Sequence, residues 1–290
     1  MSKHLRPTIF LFVLVLLASS YTSCELINPE EQIPSFLRID SFSLSTTVLT
    51  EGHPVHQFTD AWVYDNERLL GIYELPAIVP ILRSGDANIR IRGGIKLNGQ
   101  VGSRIPNLFT KDFQATLELF SDSQLHVNPV LPFKTDVSFK WLEDFDGSGI
   151  SLSQTSASEG VLERKSGTEA FDGQSLKLSI NAGELLFECK KVGDPIVLPG
   201  EGIPVMIEFT YRCNNEFVFG LFSNIPGGTI QKSIIVLKPS ADWNHIYVNL
   251  TDVVSSNPNF TGHLPFFGFI KDEDIAGESF VYLDNIRLLH

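Results

Sequence analysis

The sequence predicts an all-β fold: a small β-sandwich and a second, larger one in series behind an export leader. Three observations predict it. Apolar and polar residues alternate over short runs, the period of a half-buried strand. Turn residues, such as Asp65-Asn66, Ser84-Gly85-Asp86 and Asn98-Gly99, separate those runs. The 22 Phe against 2 Met point to cores of stiff aromatic side chains, which favour strands. Beyond the leader no long apolar stripe recurs at helical spacing.

The leader comes first. Lys3, His4 and Arg6 form a basic start, and residues 9–17 read IFLFVLVLL without a break. That run is shorter than the roughly 20 residues a spanning helix needs, so residues 1–23 read as a cleaved signal peptide. Residues 24–35 are polar and broken by Pro29 and Pro34, the composition of a tether.

The first sandwich is expected over residues 36–134. Residues 36–44, Ala61-Trp62-Val63-Tyr64, Ile89-Arg90-Ile91-Arg92 and Thr116-Leu117-Glu118-Leu119 read as its strands. Pro129 and Pro132 mark a boundary, and a second strand pattern fills residues 135–290. There Val205, Ile207, Phe209, Tyr211 and Cys213 share one strand face. Glu208, Thr210 and Arg212 share the other, as in an antiparallel strand with one wet face.

The formal charge is −12, and loss of Lys3 and Arg6 with the leader takes it two further, to −14. Such a surface repels phosphates, so nucleic acid is not an expected partner. It also lacks the basic patch that would hold it on anionic lipid. Membrane attachment is therefore expected to be covalent or hydrophobic.

Tyr21-Thr22-Ser23-Cys24 resembles a bacterial lipobox, with Tyr21 in place of the usual Leu. The resemblance implies lipidation of Cys24 and an outer-membrane lipoprotein on the periplasmic or cell-surface face. The acids after Cys24 resemble the export signals of some Bacteroidetes lipoproteins. Residues 60–64 (DAWVY), 71–77 (GIYELPA) and 92–99 (RGGIKLNG) resemble a family of Bacteroidetes envelope lipoproteins of undefined function. The first half is similar to transthyretin-like or Ig-like sandwich modules. The second is similar to galactose-binding-like jelly rolls, through residues 143–147 (EDFDG), 243–250 (WNHIYVNL) and 282–288 (YLDNIRL).

The jelly-roll resemblance implies binding more than catalysis. It also implies neighbouring first and last strands, whose acids hold a structural calcium. Glu143, Asp144, Asp146 and Asp284 are the candidate ligands, since calcium suits hard oxygen donors. A solvated acidic turn is the other reading of the same residues.

No G-x-S-x-G, H-E-x-x-H, C-x-x-C or glycine-rich phosphate loop is present, so no catalytic residue is named. His53 and His56 lack a third metal ligand nearby and read as a loop. Arg83, Arg90, Arg92, Lys96 and Arg104 gather positive charge. Arg90 and Arg92 share a strand face and either grip an anion or balance local acids. Cys189 and Cys213 either bridge in an oxidising compartment or stay as buried small hydrophobes.

Trp62, Tyr64 and Tyr73 are the candidate ligand aromatics, with Trp141 considered beside them and Trp243 expected in the core. The reading is a noncatalytic, lipid-anchored envelope protein that binds or assembles, with glycan as the expected ligand. A structural subunit of a surface protein complex is the alternative, and a hydrolase with an unrecognised site the third.

Overall fold

The computed structural model describes residues 32–290. The leader, Cys24 and most of the tether lie outside the described residues. Among the described residues no helix is long and apolar enough to cross a membrane.

The chain opens with β1 (Ser35–Ile39), β2 (Ser43–Ser45), the single-turn α1 (Val48–Glu51) and β3 (Asp60–Asp65). There follow β4 (Arg68–Glu74), β5 (Ala77–Ile81), β6 (Gly85–Lys96), β7 (Arg104–Pro106), β8 (Phe113–Leu119), β9 (Gln124–His126) and β10 (Val130–Pro132). One sheet runs β4-β3-β6-β7, with β8 also on β6. Facing it are the sheets β5-β1-β9 and β10-β2. Between them lies a core that includes Leu37, Ile39, Val63, Val79, Ile89, Ile91 and Leu131.

The second half holds β11 (Phe139–Glu143), β12 (Leu152–Gln154), β13 (Val161–Ser166), β14 (Gln174–Ile180), β15 (Leu186–Lys191) and β16 (Met206–Cys213). It continues with β17 (Phe217–Ile225), β18 (Gly228–Leu237), β19 (Ser240–Asn249), α2 (Thr251–Ser255), β20 (Gly262–Ile270) and β21 (Ser279–Leu289). A six-stranded sheet runs β13-β14-β21-β16-β19, with β11 also on β21. A five-stranded sheet runs β12-β15-β20-β17-β18. The chain is all-β, and its second half is a two-sheet sandwich whose first and last strands, β11 and β21, pair antiparallel. Phenylalanines fill its core: Phe209 meets Phe267 edge-on at 5.2 Å, and Phe219 meets Phe267 at 5.3 Å.

Two expectations need correction. Cys189 and Cys213 are not bridged; both are free and buried. Cys189 belongs to the five-stranded sheet and Cys213 to the six-stranded one, where its Sγ lies 3.5 Å from the Lys238 carbonyl. Burial raises both thiols, Cys213 to about 11, so neither is a nucleophile.

The second correction concerns β16. Its inward residues Ile207 and Phe209 are in the core as expected, but Glu208 and Thr210 on the other face are buried too. The first half of the chain covers that face. Met206, Tyr247 and Leu289 pack into the first sandwich's core. Asn98 donates its backbone N–H to the Tyr247 carbonyl at 2.8 Å, and the Gln57 N–H reaches the Tyr247 hydroxyl at 2.9 Å.

At the centre of this junction Arg287, only 2% exposed, lies 2.5 Å from Glu208. Its guanidinium also donates to the carbonyls of His53 and Val55. These bonds satisfy a loop that has no ladder of its own.

Candidate binding face

The outer face of the β4-β3-β6-β7 sheet gathers Trp62, Tyr64, Arg90 and Arg92 among the residues that the sequence marks. Strand alternation sends Ala61 and Val63 of β3 into the core, and Trp62 and Tyr64 outward. On β6 it sends Ile89 and Ile91 inward, and Arg90 and Arg92 outward. Register sets Trp62 against Arg92 and Tyr64 against Arg90. The Arg90 guanidinium lies 4.2 Å above the Tyr64 ring, within cation–π range.

The two arginines are not free to grip an outside anion. Asp112 accepts from Arg92 at 3.1 Å and from Arg90 at 3.4 Å, and Glu67 accepts from Arg90 at 3.0 Å. Arg83 is held by Asp65 at 3.0 Å, and Arg104 pairs with the fully buried Asp60. The concentration of positive charge is therefore matched locally by acids.

Beside the Arg90–Tyr64 stack opens a hollow of about 470 Å³, lined by Asn66, Glu67, Asn88, Arg90, Gln114 and Thr116 together with Ile89 and Ala115. Thr116 donates to the Asn88 side-chain oxygen at 2.9 Å, and the Asn88 amide donates to Asn66 at 3.1 Å. Trp62 sits at the other end of the face, half-buried, its Nε1 without an acceptor among the described residues. Gly94 lets the strand pass under it, since a Cβ there would lie 2.9 Å from that nitrogen. Tyr73 does not join this face. It pairs with Ala61, so it points to the core side, and its ring folds over Gly71.

The other tryptophans divide differently from expectation. Trp141 is 5% exposed and donates to Ser151 at 2.8 Å, inside the second core. Trp243 is not core. It is half-buried on the outer face of the six-stranded sheet, 5.6 Å from Phe171 and 5.9 Å from Tyr282.

Of the four acids proposed for calcium, Glu143 and Asp284 are already engaged by protein donors. Both Glu143 oxygens are taken, by the Phe145 N–H at 3.0 Å and by Ser151, whose N–H lies at 2.7 Å. Asp284 is 1% exposed and accepts from Ser175 at 2.6 Å and from the Asn285 N–H at 2.7 Å. Burial pushes its carboxyl up to about 7, with the nearby Asp146 charge adding to the rise against those hydrogen bonds.

Asp144 and Asp146 instead come together with His53, their ligand atoms within 4.8 Å of one another. His53 Nε2 is 3.4 Å from Asp144. Asp144 accepts from the Asp146 N–H at 3.1 Å and Asp146 from the Gln174 N–H at 2.7 Å, and with the His53 imidazole they supply fewer ligands than the six to eight oxygens that calcium takes. The expected set of four thus fits calcium only in part. His56 diverges from His53 and stacks on Phe58 at 4.7 Å.

Two hydroxyl–imidazole pairs have the reach of a nucleophile and its base: Ser223 with His263 at 2.8 Å, and Thr210 with His245 at 3.0 Å. Glu208 lies 3.5 Å beyond His245. All five side chains are at most 8% exposed, so no substrate atom can meet the hydroxyls. The pairs satisfy polar groups in the interior.

The outer face of the five-stranded sheet carries a strip that the sequence reading did not single out. Phe222 lies on Phe266 at 4.9 Å with Lys190 5.6 Å from its ring. Glu188 accepts from Gln231 at 2.6 Å and from Thr155 at 2.8 Å. The available signal was the alternation opposite the core phenylalanines of β17 and β20.

No family model and no curated protein matches the chain. Similar solved structures include one from work on promiscuous specificity in carbohydrate-binding modules of the β-sandwich superfamily. It is 18% identical, with 80% of this chain and 84% of that one covered, at a TM-score of 0.39. A xylan-binding domain from carbohydrate-binding module family 22 is 17% identical, covering 52% of this chain and 93% of its own, at 0.37. The family 11 module from Clostridium thermocellum, in complex with a mixed-linked β-1,3-1,4 tetrasaccharide, is 17% identical, covering 52% and 94%, at 0.35. Identities and scores this low carry no ligand and no residue role across to this chain.

Proposed function

We propose that this is a noncatalytic, lipid-anchored envelope protein that binds glycan on the outer face of its first large sheet. One observation supports the reading most. Trp62 and the Arg90-capped Tyr64 lie on one outward face, and at the end away from Trp62 it opens into a hollow of about 470 Å³ whose lining includes Asn66, Asn88, Gln114 and Thr116. Flat aromatic surface flanked by hydrogen-bonding groups suits a pyranose, which has an apolar face and a polar rim. Anchoring through Cys24 and an outer-membrane location rest on the leader alone. Labelling by a palmitate analogue, lost in Cys24→Ala, tests them.

The face is tested by glycan array on the full chain and on Trp62→Ala and Gln114→Ala. Loss of one ring contact should weaken glycan capture by about tenfold. Unchanged capture in both variants would move the site elsewhere. A protein partner is the second reading, because exposed Ile72 and Leu69 continue the same face opposite Trp62 and Tyr64. Pull-down from the native envelope that recovers one protein stoichiometrically, with an empty array, would favour it.

A further inference from the structure

The sequence offers Arg90 and Arg92 either as an anion grip or as a balance for local acids, and the structure pairs both with acids. A guanidinium that stacks on two rings without a carboxylate partner lies elsewhere. Arg212 leaves β16 on the outer face of the six-stranded sheet, beyond the part that the first sandwich covers. Its guanidinium lies 4.6 Å from the Tyr282 ring and 5.0 Å from the Trp243 ring. It makes no ion pair among the described residues. Its Nε is buried without an acceptor, and Nη2 reaches only the Glu169 carbonyl, at 3.5 Å.

The acids around it are already engaged. Glu169 accepts from the Tyr282 hydroxyl at 2.6 Å, and Glu278 holds Lys177 at 2.6 Å. Lys165 is held by Glu163 at 2.8 Å. Three acids and three cations, Arg212 among them, balance around this face, but no carboxylate lies within ion-pair distance of the Arg212 guanidinium among the described residues.

Arg212 also lines a hollow of about 560 Å³ with Phe280, Tyr282, Pro239, Ser240 and Ala241. Phe280, Pro239 and Ala241 offer apolar surface there. We infer that this hollow is a second binding site, for a uronate residue of an acidic glycan. A carboxylate matches the planar guanidinium fork, and two rings hold that fork against rotation. The sugar ring then lies on the apolar wall formed by Phe280 and the β18–β19 turn. The site is separate from the face of the first sandwich and uses none of its residues.

The test titrates tetragalacturonate and its fully methyl-esterified form into the full-length protein by calorimetry. The acid form should bind about tenfold or more tighter than the ester, because a charge-assisted contact is lost with the carboxylate. Arg212→Gln should lose the same factor, and Arg212→Lys most of it, since an ammonium keeps charge but not the fork. Ala241→Trp, at the exposed start of β19, should block the hollow while leaving Arg212 in place, and so guards against misfolding of the arginine variants. Trp62→Ala should change nothing. Equal binding of acid and ester, no binding of either, or full binding by Arg212→Gln would overturn the inference. So would a sulfated oligosaccharide that binds Arg212→Lys as tightly as the parent, which would make the hollow a simple charge trap. Loss on Trp62→Ala would assign the ligand to the first sandwich instead.

Discussion

Replacing Arg287 by leucine should destabilise the protein far more than an ordinary point substitution. The side chain is 2% exposed, and its partner Glu208 is 3% exposed. Removing the arginine strands a buried carboxylate, which costs about 3–5 kcal/mol. The carbonyls of His53 and Val55 also lose their donor. Each such bond is worth about 1 kcal/mol, offset in part by roughly 1–2 kcal/mol from burying the leucine. The net loss should be about 4 kcal/mol, against a typical total of about 5–15 kcal/mol.

Urea unfolding followed by tryptophan fluorescence measures it. The midpoint should fall with little change in slope, since both halves share the junction. The double variant Glu208→Met/Arg287→Leu should recover most of the loss, because both charges leave together. A cost under about 1 kcal/mol for Arg287→Leu, or a double variant no better than the single one, would refute the account of a buried, mutually dependent pair.

The junction should also be acid-sensitive. Burial, helped by the charges of His245 and Arg287, lowers His56 to about 4. The unfolded chain then binds the extra proton between pH 6.5 and about 4, so stability is full above that window and falls through it, by at most about 3 kcal/mol. His56→Gln should flatten this part of the pH profile, and an unchanged profile would remove His56 from the account. Asp284 has the opposite sign. With its carboxyl raised to about 7, its contribution is full below pH 3.8 and is lost as pH rises to 7. Asp284→Asn should therefore be more stable than the parent at pH 8, by up to about 4 kcal/mol less about 1 for a weakened hydrogen bond, and no more stable at pH 4. A structural calcium on Asp284 would reverse that sign at pH 8, and chelator would erase the reversal. Cys189 and Cys213 should react with a thiol reagent only on unfolding, with no mass change under reductant; rapid native labelling would contradict their burial.

The sequence by itself determined the strands and their inward faces. The alternation around Ala61-Trp62-Val63-Tyr64 and Ile89-Arg90-Ile91-Arg92 is a local property of a pleated chain; it set Arg90 and Arg92 on one strand face, and the register of β3 on β6 brought Trp62 and Tyr64 beside them. It also carried the neighbouring of the first and last strands of the second half, through the likeness of residues 143–147 and 282–288 to jelly rolls, and the structure pairs them antiparallel. What it could not carry was which outward faces meet water. Glu208 and Thr210 read as a wet face because their neighbours in sequence are apolar, yet the first sandwich lands on them from more than a hundred residues away. Tyr73 and Trp243 exchanged roles for a related reason. The register of β4 on β3 turned Tyr73 inward, and the outer face of the six-stranded sheet stayed open around Trp243. Charge pairing is likewise a tertiary fact. Asp112 and Glu67 neutralise Arg90 and Arg92 from other segments, whereas Arg212 lies beside acids that other cations and a tyrosine already hold. Only the folded chain shows that Arg212 stacks on two rings with no carboxylate to pair with.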